Sequence, residues 1–567
     1  MRAPGPDAAL IVRGARVLTM DPDRPRATAL AILGERVVAV GEDREVLGRA
    51  GPGARVVDLG GRTVTPGFID AHVHAAHYGL YMLPRFVQFE GCRSVDDLLA
   101  RVEERARVTP PGEWILGSPN YPTDLVEDSR FPDRWELDRA APHHPFFMRV
   151  RGHLGVVNSR ALERFGIDRH TTDPEGGYLF RDPSTGEPTG WVLDNALFDL
   201  ALPHLPPTPG EQWREAILTM SRHLLQLGVT TVVNQSADVW PILEDLHARG
   251  ELPVRWQANL RGSSNYFHRP PEEIPAAVEA LGPPTGHGDR WLWVGAIGEL
   301  HADGLVEAPL MHEPFAEDRF GPGWRGLLRH PPEVLEAVCR AAAERGFQME
   351  VHASGDAALE LVLDVYEAVD RRVGIRDRRW VITHGGVFPG RRSVERAQEL
   401  GVVVATQQPV IWTQSHYYRR YWGRRRADNL FANRTWLEGG VRLNGGSDVG
   451  LSPLLGMATY VNRRNVFGEE VGVEEAIDPE RALRLYTVDA AYSIFRERDL
   501  GSLEEGKLAD LVVLSDDPLS VPPERLSQVR VVATLVGGRV AHDPQGLFSE
   551  AREASDALDD PGGRRKR

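Results

Sequence analysis

Eight short apolar runs recur through the middle of the chain: "TPGFIDAHVH", "GVTTVVNQS", "LPVRWQANLR", "RWLWVGAIGELHADG", "GFQMEVHASGD", "RWVITHGG", "GVVVATQQPVIW" and "GVRLNGGSDVG". Amphipathic stretches such as "PPEVLEAVCRAAAERG" and "SVERAQELG" stand between several of them. Strands separated by helices pair in parallel, because only a crossover of helical length brings the chain back to start the next strand in the same direction. About eight such units are what a closed (β/α) barrel requires. The expected fold class is α/β, with a (β/α)8 TIM barrel over residues 65–494. The stretch from about 91 to 209 breaks the rhythm and reads as an insertion after the first barrel strand.

The ends of the chain differ from its middle. "AALIVRGARVLTM", "ATALAILGERVVAVG" and "ARVVDLGGRTVTPG" near the start, and "GKLADLVVLSDDPL" and "VRVVATLVGGRVA" near the end, alternate strand-like runs with turns. They predict a small antiparallel β domain assembled from residues 1–64 and 495–550, which the usual closeness of chain termini makes easy. Residues 551–567, polar with a basic cluster, predict a frayed, solvated tail.

Bulk charge then excludes some partners. Acidic residues outnumber basic ones 81 to 66 in 567 residues, a formal charge of -15. Nucleic acid and anionic membrane surfaces both need clustered positive charge, so neither is expected as the main partner. Cys92 and Cys339 are too few and too far apart in sequence for a disulfide framework or a thiolate cage, which suits a reducing, cytoplasmic setting. No apolar run approaches the length of a membrane span.

The chemistry lies at the ends of the runs. His72 and His74 close the first one, and alternate side chains of a strand face the same way, so both can reach one ion. His352 ends "MEVH", His384 ends "WVITH", and Asp448 follows "LNGGS", where glycines allow close backbone approach. An isolated H-x-H is weak. Several ligand types at the same place on successive barrel strands are hard to obtain from packing alone, and that end of a barrel is where catalysis is built. The expected cofactor is a divalent metal, zinc first with manganese or iron as alternatives, as one or two ions. A carboxylate beside a metal-activated water can act as general base, and Asp448 is the candidate.

These motifs, in this order, resemble the amidohydrolase superfamily, within the branch (amidohydrolase family 3) that includes N-substituted formamide deformylase. "TPGFIDAHVH", "VHASGDAAL", "THGG" and "GGSD" carry the resemblance. "DLGSLEEGKLADLVVLSDDPL" matches the closing segment of such enzymes, and "RGHLGVVNSRAL" a segment of the branch. The resemblance covers nearly the whole chain. It implies a distorted (β/α)8 barrel beside a composite β-sandwich from both termini, Asp448 as proton carrier, and an association of subunits such as a homodimer.

One position departs from the pattern. Family members usually carry a lysine on the fourth strand that becomes a carbamate bridging two metals, and Glu299 stands there instead. Its two carboxylate oxygens make it the favoured bridging ligand, with His301 on the same strand, or a one-metal site, as alternatives. His153 is a candidate to hold the substrate carbonyl or its oxyanion, and Asn158 to touch substrate or support that segment. Asp356 either orients His352 or caps the next helix, and Asn234 with Gln235 stand at the barrel mouth. The stretch after the seventh strand reads as a loop whose Trp412, Tyr417 and Trp422 line an apolar pocket or pack on the insertion. Arg419, Arg420 and Arg424 to Arg426 there are candidates to receive a substrate carboxylate.

The expected function is hydrolysis of an amide or formamide-like C–N bond in a small N-substituted, aromatic or apolar molecule. A deaminase or other ring-carbon hydrolase is the enzymatic alternative, and a non-catalytic ligand-binding or regulatory barrel the third reading.

Overall fold

The computed structural model describes residues 8–120, 130–235, 239–260, 269–317, 320–549 and 552–553. Apart from Arg552 and Glu553, the expected tail lies outside the described residues. Eight parallel strands follow one another in chain order: β1 (Phe68–Val73), β2 (Val229–Asn234), β3 (Arg255–Leu260), β4 (Leu292–His301), β5 (Gln348–His352), β6 (Val381–Thr383), β7 (Val403–Thr406) and β8 (Arg442–Gly445). Every residue of β1 to β7 is buried, as strands covered on both faces must be. The ring closes between β1 and the segment after β8. A parallel bridge joins Val73 to Asp448, Asp448 N donates to His72 O at 2.9 Å, and His74 N donates to Asp448 O at 3.0 Å.

The barrel is distorted beside one of the candidate ligands. The β4–β5 register slips between Ile297 and Leu300, beside Glu299, and an irregularity of this kind re-aims a side chain. Outside the strands, helices α1 (Pro332–Glu344) and α2 (Asp356–Val373) lay apolar faces on the barrel. Pro332 opens α1 at a position that needs no N–H donor. Cys339 is buried on α1, and it and Cys92 are both free thiols.

Strands from both ends of the chain share two further sheets. One runs Arg552–Glu553, Ala50–Asp58, Ala8–Arg13, Ala29–Leu33, Arg36–Gly41; the other runs Arg539–His542, Val531–Val536, Leu511–Leu514, Thr63–Pro66, Arg16–Leu18, Arg26–Ala27. Val12, Leu30 and Val57 of the first meet Val64, Val513 and Leu535 of the second in one core. Contrary to the antiparallel expectation, both sheets are mixed. Ala8–Arg13 pairs in parallel with Ala50–Asp58, and Arg16–Leu18 with Thr63–Pro66. A hairpin and a short helix lie between the members of the first pair, enough chain for a parallel return. This unit is tied to the barrel by a buried bidentate pair, with Arg255 Nε and Nη2 each 2.8 Å from Asp510.

A third sheet, built from strands between Phe86 and Asp194, stands over the barrel mouth. Its hairpin of Phe146–Val150 and Leu154–Val157 turns through Arg151, Gly152 and His153. Arg151 (φ 48°) and Gly152 (φ 75°) both take the left-handed conformation there, reversing the chain within three residues. No helix among the described residues is long and apolar enough to cross a membrane.

Candidate metal centre

His72 lies in β1 and His74 just beyond it; Glu299 and His301 end β4, His352 ends β5, His384 follows β6 and Asp448 follows β8. All therefore meet at the C-terminal rim. Glu299 is the hub. Its Oε2 lies 3.4 Å from His74 Nε2, 3.9 Å from His72 Nε2 and 3.6 Å from His301 Nε2. Its Oε1 accepts from His352 Nδ1 at 2.7 Å and lies 3.6 Å from His384 Nε2. Asp448 Oδ1 completes the first side at 3.5 Å from His74 Nε2 and 3.7 Å from His72 Nε2.

These spacings decide between a hydrogen-bonded cluster and a cation site. Most exceed hydrogen-bond length, whereas ligand atoms about 2.1 Å from a tetrahedral zinc stand about 3.4 Å apart. His72 Nε2 is fully buried and hydrogen-bonds to nothing. A buried ring nitrogen with no hydrogen-bond partner, aimed at two carboxylates, fits a ligand of a divalent ion. Two ligand groups share the hub region, His72–His74–Asp448 and Glu299–His352–His384, and a third group, His153–His301–His352, adjoins them.

The electrostatics agree. Burial alone would raise the Glu299 pKa, but His301, His352 and His74 hold it well below the usual carboxylate range. Burial likewise opposes ionisation of Asp448, and His72, His74 and His384 outweigh it, bringing the value down to about 2. His384 is pushed down to about 3 by burial, with His352 contributing, so it presents a neutral imidazole. His384 (φ 69°) and Asp448 (φ 67°) both sit in the left-handed region, backbone strain of a kind that persists where surroundings fix it and clusters at functional sites.

A second layer aims the ligands. His72 Nδ1 donates to Glu350 at 2.6 Å and His384 Nδ1 to Gln407 at 2.8 Å, leaving each Nε2 toward the centre. Thr383, Gln235 and Asn259 donate to the other lone pairs of Glu350. Asp70 accepts from Ser447 N at 2.9 Å and holds the segment bearing Asp448. Asp303 accepts from Ser354 N, Gly355 N and Leu310 N, fixing the turn after His352. The sequence reading missed Glu350, although it stands two residues before His352 and strand alternation places both on one face. A carboxylate two positions before a candidate ligand in the strand "QMEVH" was the signal.

Not every expected residue reaches the site. His153 lines it, its Nδ1 2.6 Å from Asp194 Oδ1 and its ring 4.9 Å from that of His301. Asn158 is turned away. It caps the helix Ser159–Phe165 by accepting from Ala161 N, accepts from Phe146 N, and donates to His144 O, so it supports the segment and its polar atoms are committed. Asn234 accepts from Ala76 N and Gln235 faces Glu350, both fully buried in structural bonds. Asp356 opens α2 and accepts from His312 N, without reaching His352.

The expected aromatic loop is a helix, α3 (Gln408–Trp422). Its 3.6-residue period directs Tyr417 and Trp422 into a core shared with the insertion, where Trp422 Nε1 donates to Val306 O. Trp412 does line a cavity. The arginines proposed for a carboxylate are engaged elsewhere. Arg419 pairs with Asp428 and Glu469, Arg420 with Glu317, Arg424 with Asp428, Arg425 lies over Phe388, and Arg426 donates to Glu313 O and Pro314 O.

An inner chamber of about 40 Å³ touches His74, His153, Glu299, Asp448, Arg149 and Tyr78. It adjoins an outer cavity of about 630 Å³, with Tyr78, Tyr81, Pro119 and Arg151 common to both. Met82, Val150, Met220, Trp412, Leu451 and Val466 make much of the outer wall apolar.

Comparison with known proteins agrees with this geometry. The sequence profile of a family described as "Amidohydrolase family" matches residues 55–542. The chain is 29% identical over 553 residues to N-substituted formamide deformylase of Arthrobacter pascens, covering 95% of this chain and 99% of that protein. It is 31% identical over 546 residues to the protein LONG AFTER FAR-RED 3 of Arabidopsis thaliana, covering 94% and 91%. A crystal structure of an uncharacterized metal-dependent hydrolase of Pyrococcus horikoshii OT3 superposes with a TM-score of 0.69 at 23% identity, covering 91% of this chain and 99% of that one, a likeness of fold.

Proposed function

The chain belongs to the amidohydrolase family and is a metal-dependent hydrolase of carbon–nitrogen bonds other than peptide bonds; from that premise we propose that it cleaves the amide or formamide C–N bond of a small N-substituted molecule. One observation carries the reading. The two oxygens of Glu299 face two separate sets of imidazoles, His72 and His74 on one side and His352 and His384 on the other, with Asp448 beside the first. We infer that His72, His74 and Asp448 would hold one divalent ion, zinc first, and His352 and His384 a second, with Glu299 contributing a carboxylate oxygen to each group. When bound, the ions supply Lewis-acid polarisation of the carbonyl and lower the pKa of water.

The chain's own groups do the rest. Asp448 takes the proton of the attacking water and returns it to the departing nitrogen. His153 is held neutral, burial lowering its pKa against the pull of Asp194. With its Nδ1 hydrogen on Asp194, Nε2 offers a lone pair. It therefore suits the amide N–H, not the carbonyl oxygen expected from sequence. The apolar outer cavity suits an aromatic or aliphatic N-substituent.

Metal analysis of the purified protein, combined with a screen of formamides, acyl-amides and ureas, tests this. Two bound ions and release of amine from at least one class are expected, and Glu299→Gln should lose metal and rate together. Protein that retains no divalent ion and hydrolyses none of the panel would sink the proposal.

A further inference from the structure

Arg149 stands apart from other buried and half-buried arginines of the barrel and its insertion. Arg151 pairs with Glu307, Arg329 lies 3.7 Å from Asp194 and bonds Asn195, and Arg255 grips Asp510. Arg149 lines the inner chamber with Glu299 and Asp448, yet no carboxylate among the described residues lies within ion-pair range of it. Its guanidinium is nonetheless oriented. Nε donates to Gly152 O at 2.9 Å, and Cζ lies 5.1 Å from the ring centre of Phe198. Nη1 and Nη2 are left without an acceptor among the described residues. A fixed planar fork with two open donors is the geometry that takes a carboxylate in two parallel hydrogen bonds. Its half-buried setting makes such a pair stronger than one in open water.

We infer that Arg149 recognises a carboxylate on the substrate close to the scissile bond, so that the favoured substrates are N-acyl amino acids or similar acidic amides and not neutral ones. The inference rests on the hydrolase reading above and deepens it. The position also explains why the arginines after the seventh barrel strand are dispensable for this task, since the insertion hairpin delivers the charge directly to the chamber.

A matched pair that differs only in the carboxylate tests it: N-formylphenylalanine and N-formyl-2-phenylethylamine. The wild-type metal-loaded protein should show kcat/KM roughly 10- to 100-fold higher for the acid, the scale of a charge-assisted bidentate contact. Arg149→Met should abolish that preference, lowering kcat/KM far more for the acid than for the neutral compound, and Arg149→Lys should keep part of it. Calorimetric binding of the same pair gives a readout independent of turnover: the acid should bind more tightly to wild type and lose that advantage in Arg149→Met. If neither compound turns over while the binding difference persists, the hydrolase reading fails and the carboxylate site stands. Equal treatment of the two compounds by wild type overturns the inference. So does an equal slowing of both by Arg149→Met, which would make Arg149 a stabiliser of the transition-state oxyanion.

Discussion

Glu350 accepts the Nδ1 hydrogen of His72 at 2.6 Å through one oxygen, while its other oxygen takes hydrogens from Asn259 at 2.7 Å and Gln235 at 3.0 Å. The carboxylate thus anchors the ring of one proposed ligand to a polar layer beneath the barrel mouth. Glu350→Gln turns an N–H₂ group toward donors and should lower metal affinity by roughly 10- to 100-fold, the usual cost of losing such an outer partner. Competition with a chromophoric chelator measures it, and unchanged affinity would make the network purely structural.

Asp448→Asn keeps an oxygen beside His72 and His74 but cannot carry a proton. Turnover should fall by about 10²- to 10⁴-fold, with metal content much less affected. A variant that turns over at the wild-type rate would remove Asp448 from proton transfer.

Metal binding should depend on pH through His72. Burial disfavours its imidazolium, yet Glu350, Asp448 and Glu299 hold its pKa well above the ordinary 6.5. The metal-free ring is therefore charged near neutrality, and an ion must displace its Nε2 proton. Affinity then rises with pH and levels off above the raised value, with proton release visible in calorimetry in buffers of different ionisation heat. In metal-free protein the sign reverses. The charged ring's stabilisation is full below pH 6.5 and is lost as pH climbs through the folded value. Binding without proton uptake by buffer would contradict this.

Asn158→Ala should lower stability by about 1–3 kcal/mol, since it removes a helix cap and leaves buried groups unpaired. Chemical denaturation reads the loss. The kcat/KM of the surviving folded protein should be unchanged, whereas a residue that touched substrate would show a raised KM.

Arg255→Met leaves Asp510 buried without its cation, though Gly537 N still donates to it. A loss of about 3–5 kcal/mol is expected, and replacing Asp510 by Asn in the same protein should recover part of it. If the double variant were no better than the single one, the pair would not be what joins the β-sandwich to the barrel.

The barrel and its rim were legible because they depend on local pattern. Eight runs of strand length fix the topology, and His72, His74, His352, His384 and Asp448 stand at the run ends, where a parallel barrel gathers them. Glu299 was legible only as a departure from a family motif. What stayed hidden depends on contacts distant in sequence. Arg149 reaches the chamber because a hairpin of the insertion folds back over the mouth, and nothing near it in sequence announces that; His153, four residues on, drew attention only through a segment resembling the family's. The aromatic stretch was misread as a loop because its many rings obscure a helical period that only the buried face of α3 reveals. The mixed pairing of the terminal sheets likewise follows from where a short hairpin and helix send the chain, which strand propensity does not encode.

The ring is fastened at its own active rim, where the backbones of His72, His74 and Asp448 exchange hydrogen bonds across the join between the earliest and latest staves. More than three hundred and seventy positions separate those partners along the polymer. A ribosome-bound fragment ending before β8 therefore carries all the clustered imidazoles but lacks Asp448, and it has no fastening between first and last staves to hold them in place. The ring can close only once Asp448 has been made, so an order of assembly is written into the connectivity itself.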